Sequence, residues 1–325
     1  MRTYILKRVL QIVPTVLMIT FVVFVMMRSV PGDPVVSVLG DAYTEEDAIK
    51  ARETYGLDKP VVVQYFIWFG KLVQGDWGAS ILTGRPVLQD VLIRLPVTLE
   101  LIVLSMAVAL VIAVPAAIIG ALRQNTWADY IATTAAMIGV SIPEFFIGVL
   151  LLLGFSIGLG GLLPSSGWVY LPGTCPSIVC SASLWGNTQH VLMPAFALGW
   201  YFAAAHMRLT RSSMLDVLGS EYVKLARLKG LPEALVIGKH AFKNALIPVL
   251  TLAGINLVIM VNVAVVVETV FAWPGVGRLL AEGIAFRDFP VVQATVILGG
   301  FMIVIVNLLV DVLYAVIDPR IRLER

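Results

Sequence analysis

Long apolar stretches separated by short polar segments dominate the pattern of this chain. Six of them are long enough to cross the hydrocarbon core of a bilayer, which takes about 20 helical residues. They lie at about 9–29, 97–121, 130–157, 190–210, 247–271 and 290–316. The runs are too long for the strands of a membrane barrel, and backbone groups in lipid must be hydrogen-bonded within the protein. The pattern therefore predicts six transmembrane helices in an all-α polytopic membrane protein.

The first long connecting segment, 30–96, carries the signals of two short helices. Thr44 suits an N-cap and Gly56 a helix stop. Pro60 suits the first turn of a second helix, which would end at Gly75. We therefore expect a small helical cap on the outer side of the membrane.

The other two outer segments predict less regular structure. The segment 158–189 is rich in Gly, Pro and Ser and predicts an irregular loop, whereas 271–290 predicts a hairpin-like re-entrant turn. Cys175 and Cys180 both lie in the first of these. A disulfide between them is plausible outside the cell, where the environment is oxidising, and two unpaired cysteines in a loop are the alternative.

Composition and charge agree with a membrane protein. The chain is 59% hydrophobic and 14% charged, with mean hydropathy +0.91, which excludes an ordinary soluble domain. Net charge +2 gives no indication of nucleic-acid binding. Lys and Arg cluster before the first predicted span and in 208–243 and 320–325, whereas 158–189 has none. The positive-inside rule therefore predicts that both termini are cytoplasmic.

These predictions divide the chain into consecutive regions. The N-terminus and first span occupy 1–29, the extracytoplasmic cap 30–96, spans two to six 97–316 and a cytoplasmic tail 317–325; a cytoplasmic loop, 211–246, lies within the third region.

Catalytic motifs are not found in the sequence. The "GKH" at 238–240 lacks the earlier glycine of a phosphate loop, since Glu233 stands there, and has His where Ser or Thr would bind Mg²⁺. The spacing of the three histidines fits no metalloprotease motif. We therefore expect a non-catalytic chain with no metal or cofactor of its own.

Several polar side chains lie inside the predicted spans: Glu144, His206, Asn256, Asn262, Glu268, Asn307 and Asp311. Such residues are costly in a bilayer and often line a path through it. We predict a translocation pathway that includes Asn256, Asn262, Asn307, His206 and Glu268. Interhelical hydrogen bonds worth about 0.6 kcal/mol each are the alternative, and the three acids also fit positions near the membrane boundary. Amides at mid-span argue against ion coupling.

The segment 221–249, "EYVKLARLKGLPEALVIGKHAFKNALIPV", differs from the apolar stretches beside it. Gly230 breaks a short helical pattern, and Pro232 suits the first position of a second helix. The apolar residues of the two patterns are Tyr222, Leu225, Ala226 and Leu228, then Leu235, Phe242, Ala245 and Leu246. A two-helix cytoplasmic bracket is predicted, with Gly230 allowing close packing at the turn; a solvated basic loop is the alternative.

This segment resembles the EAA-type cytoplasmic loop of the membrane subunits of ATP-binding-cassette (ABC) importers, in the B-type version of the dipeptide/oligopeptide permease family. Further similar stretches are "PGDP" at 31–34, "YGLDKPVVVQYFIWFGKLVQGDWGAS" at 55–80, "SIPEFFIG" at 141–148, "ETVFAWPGVGRLL" at 268–280 and "DPR" at 318–320. The resemblance thus runs nearly end to end. Lys224 stands where the wider superfamily has the glutamate of the loop's name, which puts any contact of that carboxylate in doubt.

The resemblance implies a type I ABC importer permease in the bacterial cytoplasmic (inner) membrane. It also implies a second, homologous permease, two cytoplasmic ATPase subunits that bind ATP and Mg²⁺, and an extracytoplasmic solute-binding protein that delivers a peptide. The residues expected to contact an ATPase subunit are Glu221, Tyr222, Lys224, Leu225, Ala226, Arg227, Lys229, Gly230 and Leu231. Arg227 and Lys229 are expected to pair with its acids.

Two alternatives to a peptide importer remain. The same architecture could carry nickel chelates, glutathione or another small solute, because a single sequence does not identify the residues that select cargo. A stand-alone secondary transporter or channel belongs to a different class, and secondary transporters often show matching halves that this sequence lacks.

Overall fold

The computed structural model describes residues 2–29, 44–47, 49, 59–169 and 183–317. Its α-helices are α1 (Arg2–Ser29), α2 (Val61–Val73), α3 (Val87–Leu122), α4 (Trp127–Ser141), α5 (Glu144–Leu151), α6 (Leu184–Leu218), α7 (Glu221–Leu228), α8 (Glu233–Leu235), α9 (Lys243–Val270), α10 (Val276–Ala285) and α11 (Phe289–Ile317). Two π-helical stretches cover Leu152–Gly158 and Val236–Phe242. In the described ranges, β-pairing is limited to one antiparallel bridge between Ala79 and Pro86. Gly56, Cys175 and Cys180 lie outside the described residues.

All six predicted spans lie in helical structure, which confirms the all-α fold class. In the described part of the chain, three helices are long and apolar enough to cross a membrane: Val87–Leu122, Glu233–Val270 and Phe289–Val310. A bent pair of helices qualifies as a fourth. The remaining predicted spans lie in α1 and α6, so a count of six transmembrane helices stays a prediction.

The third predicted span, 130–157, is broken rather than straight. Trp127–Ser141 and Glu144–Gly158 meet at an angle of 102°. The break falls at Ile142, which is extended (φ −101°, ψ 123°) because Pro143 follows it. Proline disfavours helical geometry in the residue before it and cannot donate a backbone hydrogen bond. The two helices therefore do not form one straight span, and the pair is a broken span or a re-entrant loop.

One compact unit contains Met1–Thr98 and Pro274–Ile305. Its core joins α1, α2 and the start of α11, with Val23, Leu72 and Ile297 buried together. A second cluster buries Val87 and Leu279 with Val291 and Ala294. Apolar side chains from segments distant in the sequence thus hold this unit together.

A buried carboxylate fixes the loop before α3 to the start of α11. Asp288 accepts a hydrogen bond from the Ser80 hydroxyl at 2.5 Å and one from the Val291 amide at 3.4 Å. The second bond satisfies an amide at the helix N-terminus, as an N-cap side chain does.

The predicted re-entrant turn at 271–290 is instead a helix, α10. Arg278 and Glu282, one helical turn apart, form an ion pair at 2.8 Å, and Leu279 is buried on the opposite side. Glycines suggested a turn, but the apolar and charged positions between them follow helical spacing.

The second compact unit contains Leu99–Trp273 and Val306–Arg325, and α6 is its central helix. The α6 helix packs against α4, α5 and α9. A Cβ at Gly199 would lie only 2.6 Å from the carbonyl oxygen of Ser105 on α3. The absence of a side chain there lets the two backbones approach closely, as small residues do in membrane bundles.

Candidate coupling segment and intramembrane polar residues

The α7 helix occupies the predicted cytoplasmic segment and carries an acidic first turn. Glu221 begins the helix, where a negative charge interacts favourably with the helix dipole. Lys224 donates to the Glu221 carboxylate at 2.8 Å. The positive charge of Lys224 therefore has a partner on its own helix.

The helix ends at Gly230 in a Schellman motif. The Leu231 amide donates to the Ala226 carbonyl at 3.4 Å, and the Gly230 amide donates to the Arg227 carbonyl at 2.9 Å. Gly230 has φ +73°, in the left-handed region. A Cβ added to it would meet no atom of this chain within 4 Å, so packing within the chain does not require a glycine here. Its role in the fold is the backbone conformation.

One side of α7 is anchored in the protein. Val223 and Ala226 are buried with Val236, and Leu231 packs against the same cluster. Leu235, one of the apolar residues of the second predicted pattern, is exposed. The backbone turns at Gly230 and Pro232, and it is Val236 that then faces α7.

The opposite side of α7 is apolar and exposed. Tyr222, Leu225 and Leu228, at three-residue spacing, are 45%, 52% and 84% exposed. We call these three side chains the α7 stripe. Apolar residues at helical spacing predicted a helix here, but the buried and exposed members could not be distinguished from the sequence. A row of exposed large apolar side chains on a short helix is a feature of partner-binding surfaces.

Polar contacts tie α7 to the chain that follows it. The Asn244 amide donates to the Tyr222 hydroxyl at 3.2 Å. Arg227 pairs with Glu233 at 2.7 Å, across the turn. The Arg227 guanidinium, through these hydrogen bonds, holds the pKa of the Glu233 carboxyl below its usual range. Arg227 thus has an acid within its own chain, and its pairing with a partner's acid stays a prediction.

The second half of the predicted bracket is continuous with the fifth predicted span. Glu233–Val270 forms one helical run of 38 residues, through the π-helical stretch at Val236–Phe242. Pro232 lies at the N-cap rather than at the first helical position. At about 1.5 Å per residue the run is about 57 Å long. It is therefore long enough to join a cytoplasmic surface to a bilayer span without a break.

The structure brings together two of the five predicted pathway residues. His206 on α6 and Asn256 on α9 are buried, and their side-chain nitrogens lie 3.2 Å apart. Glu268 is buried near the end of α9. Asn262 and Asn307 lie on the exposed surface of this chain. The first pair fits the interhelical hydrogen bond that was the alternative to a pathway role.

An ion pair that sequence reasoning did not identify joins α4 to α6. Arg211 donates to both carboxylate oxygens of Asp129, at 2.5 and 2.6 Å. The Arg211 guanidinium holds the pKa of the Asp129 carboxyl below its usual range, although burial opposes this effect. Each residue lies one position outside a predicted span, where a charge predicts only a membrane boundary. Because 82 residues separate the two in the sequence, their pairing cannot be recognised from the sequence.

Family models identify the chain. The model described as "Binding-protein-dependent transport system inner membrane component" matches residues 113–323, and its N-terminal counterpart matches residues 1–102. The chain belongs to this family. It is thus a multi-pass inner-membrane component of a binding-protein-dependent transport system, a kind of subunit that is normally non-catalytic.

Curated relatives match over their full length. The oligopeptide transport system permease protein AppB of Bacillus subtilis (strain 168) is 38% identical over 322 residues, which is 99% of each chain. A putative peptide transport system permease protein of Brucella abortus (strain 2308) is 38% identical over 100% of both chains. The glutathione transport system permease protein GsiC of Escherichia coli (strain K12) is also 38% identical, over 99% of both.

A solved structure supports the fold. The present chain resembles a chain in the crystal structure of an amino acid ABC transporter with histidines, with TM-score 0.53 and 13% sequence identity. The match covers 70% of this chain and 94% of that one. The helical architecture is therefore that of an ABC transporter membrane subunit.

Proposed function

We propose that this chain is the peptide-importing permease subunit of an ABC transporter and that the α7 stripe docks on a cytoplasmic ATPase subunit. The family description supports a transport component that works with a binding protein. Two of the relatives above carry names that specify peptides. ATP and Mg²⁺ bind to the ATPase partners in this proposal, and this chain holds no cofactor.

The α7 stripe is the observation that carries the docking proposal. Leu228, its most exposed member, is 84% exposed and contributes little to the packing of this chain. The other side of the same helix is buried, so the stripe is held in a fixed position. Apolar side chains on a rigid support gain binding free energy with little loss of conformational entropy.

A movement of α7 would be transmitted to α6 and α9, the helices that precede and follow it. The α6 helix ends at Leu218, two residues before α7, and the run Glu233–Val270 begins just after the Schellman turn. Val217 and Leu218 pack against the buried side of α7. When ATP closes the two ATPase subunits, a shift of the docked stripe would tilt α6 and α9 together. The transporter would then switch from an inward-facing to an outward-facing state, because the ATPase subunits make different contacts in the two states.

A second, homologous permease subunit completes the pathway in this proposal. Asn262 and Asn307 lie in predicted spans and are exposed on this chain. Contact of an amide with hydrocarbon is costly, so a protein surface or a water-filled path is the favoured environment. We assign these two residues to the pathway between the subunits, with His206, Asn256 and Glu268 as further members.

Glutathione is the second candidate cargo, because GsiC is as similar to this chain as the peptide permeases are. Uptake of a peptide library and of glutathione should be compared in cells with and without the gene for this chain. We expect loss of short-peptide uptake on deletion. Loss of glutathione uptake alone would show that glutathione, and not peptides, is the cargo.

Docking is tested by copurification of the ATPase subunits with the tagged chain. Leu228→Ser, alone and with Leu225→Ser, should reduce the bound ATPase several-fold while the amount of chain in the membrane stays the same. Leu235→Ser is the matched control, since this exposed leucine lies in the same cytoplasmic segment but outside the α7 stripe. Full ATPase recovery with the double variant would exclude docking through the stripe.

A further inference from the structure

The α2 helix is apolar on its outward side as well as on the side that packs against α1. Gln64 faces inward, where its side-chain amide donates to the Lys59 carbonyl at 2.8 Å. Val62, Phe66 and Val73 are 57%, 65% and 71% exposed. A helix at a protein–water boundary instead buries its apolar stripe and exposes its polar residues. The outward side of α2 therefore does not fit an aqueous environment.

The contacts of α2 place it beside the middle of the first predicted span. The Tyr65 hydroxyl lies 3.0 Å from the Thr20 hydroxyl and donates to the Leu17 carbonyl at 3.3 Å. Both partners are near the centre of 9–29. The Tyr65 ring also contacts Phe21, at 5.3 Å between ring centroids. A helix resting above the bilayer would contact only the outer end of α1.

The exposed side of α2 continues an apolar surface of α1. Phe21 and Val22 of α1 are themselves exposed, and the Tyr65 ring that contacts Phe21 also contacts that of Phe66, with 5.4 Å between the two centroids. On the prediction that α1 spans the membrane, its exposed side faces lipid. The α2 surface adjoining it shares that environment.

We infer that α2 is embedded in the outer leaflet, with Val62, Phe66 and Val73 against lipid acyl chains, rather than forming part of an aqueous cap. At 13 residues it is about 20 Å long, too short to cross the bilayer. Lys71, in its last turn, is the one charged residue of the helix. The Lys71 side chain is long enough to extend its ammonium group to the headgroup region. The helix thus anchors this unit in the membrane without spanning it.

Spin-label accessibility in vesicles tests this inference. The full chain, co-purified with its partner subunits, is reconstituted in phosphatidylethanolamine–phosphatidylglycerol vesicles as single-cysteine variants that also carry Cys175→Ser and Cys180→Ser. Nitroxides are placed at Phe66→Cys and, as a second site, Val62→Cys. Met18→Cys on the exposed side of α1 serves as the lipid reference and Glu45→Cys, an exposed polar position, as the water reference.

For nitroxides at Phe66 and Val62, we expect collisions with oxygen to exceed those with a water-soluble nickel complex several-fold, as for the lipid reference at Met18. The water reference at Glu45 should show the opposite ratio. A nickel-dominated response at both α2 sites would place the helix in water and overturn the inference. Low accessibility to both reagents would show that another protein chain covers α2 and would overturn it as well.

Discussion

At the scale of single residues, the Asp129–Arg211 pair is an ion pair with two hydrogen bonds between α4 and α6. The Asp129 side chain is 4% exposed and that of Arg211 23%, so water screens the pair only partly. Removing one member of such a pair leaves a partly buried charge without its partner, which costs more than the pair itself contributes. The two residues therefore act as a fixed tie between a broken span and the helix that leads to α7.

Asp129→Asn should lower the thermal unfolding midpoint of the purified chain by several degrees, which corresponds to on the order of 2 kcal/mol. Asp216→Asn is the control, because Asp216 is an exposed acid on α6. Equal midpoints for the two variants would contradict a structural role of the ion pair.

The pH dependence of this effect has a defined sign. A carboxyl whose pKa is lowered on folding, as that of Asp129 is by Arg211, stabilises the folded state fully above its unfolded pKa, about 3.9. The contribution is lost only as the pH falls through the folded pKa. The difference in midpoint between wild type and Asp129→Asn should therefore be the same at pH 6 and pH 8. A difference that shrinks by pH 6 would exclude this linkage.

At the scale of elements, hydrophobic periodicity and turn residues predicted most of what the structure shows. Thr44 was predicted to be an N-cap residue, and it forms a capping box with Asp47. The Thr44 amide donates to the Asp47 carboxylate at 3.2 Å, and the Asp47 amide donates to the Thr44 hydroxyl at 3.3 Å. The angle at Pro143 and the unbroken helical run Glu233–Val270 that follows Pro232 were not predictable. Proline marks an irregular backbone, but whether a helix kinks, breaks or begins there depends on packing with distant residues.

The same limit applies within α7. The sequence predicted a helix in this segment, and the stop at Gly230 is where the structure has it. Five apolar residues in eight positions leave two possible buried sides for so short a helix. Val223 and Ala226 are the buried ones because Val236 faces them, a contact that the sequence does not encode locally.

Gly230→Ala should loosen the end of α7 at a cost of about 1–2 kcal/mol, since alanine disfavours the left-handed region. Gly238→Ala is the matched control: Gly238 lies in helical structure with no atom within 4 Å of an added Cβ, and alanine there should be neutral or stabilising. Hydrogen exchange of the Gly230 and Leu231 amides reports the difference. Unchanged exchange in Gly230→Ala would show that the turn does not depend on this conformation.

At the scale of the whole molecule, the positive-inside prediction places the loop that precedes Tyr170 outside and the α7 segment inside. In the background with both cysteines replaced, Ser165→Cys should react with a membrane-impermeant maleimide in intact cells. Lys239→Cys should react only after the membrane is opened. Both positions are exposed on the chain, so accessibility to the reagent is set by the membrane. Reaction of Lys239→Cys in intact cells would reverse the proposed topology.

The central claim is that the α7 stripe transmits ATPase movement to α6 and α9. Its most direct test is peptide-stimulated ATP hydrolysis by the complete transporter in vesicles, with the peptide-loaded binding protein supplied. Leu225→Ser combined with Leu228→Ser should abolish the stimulation, while Leu235→Ser preserves it. Wild-type stimulation in the double variant would contradict the claim, because coupling would then reach the membrane helices by a route that does not involve the α7 stripe.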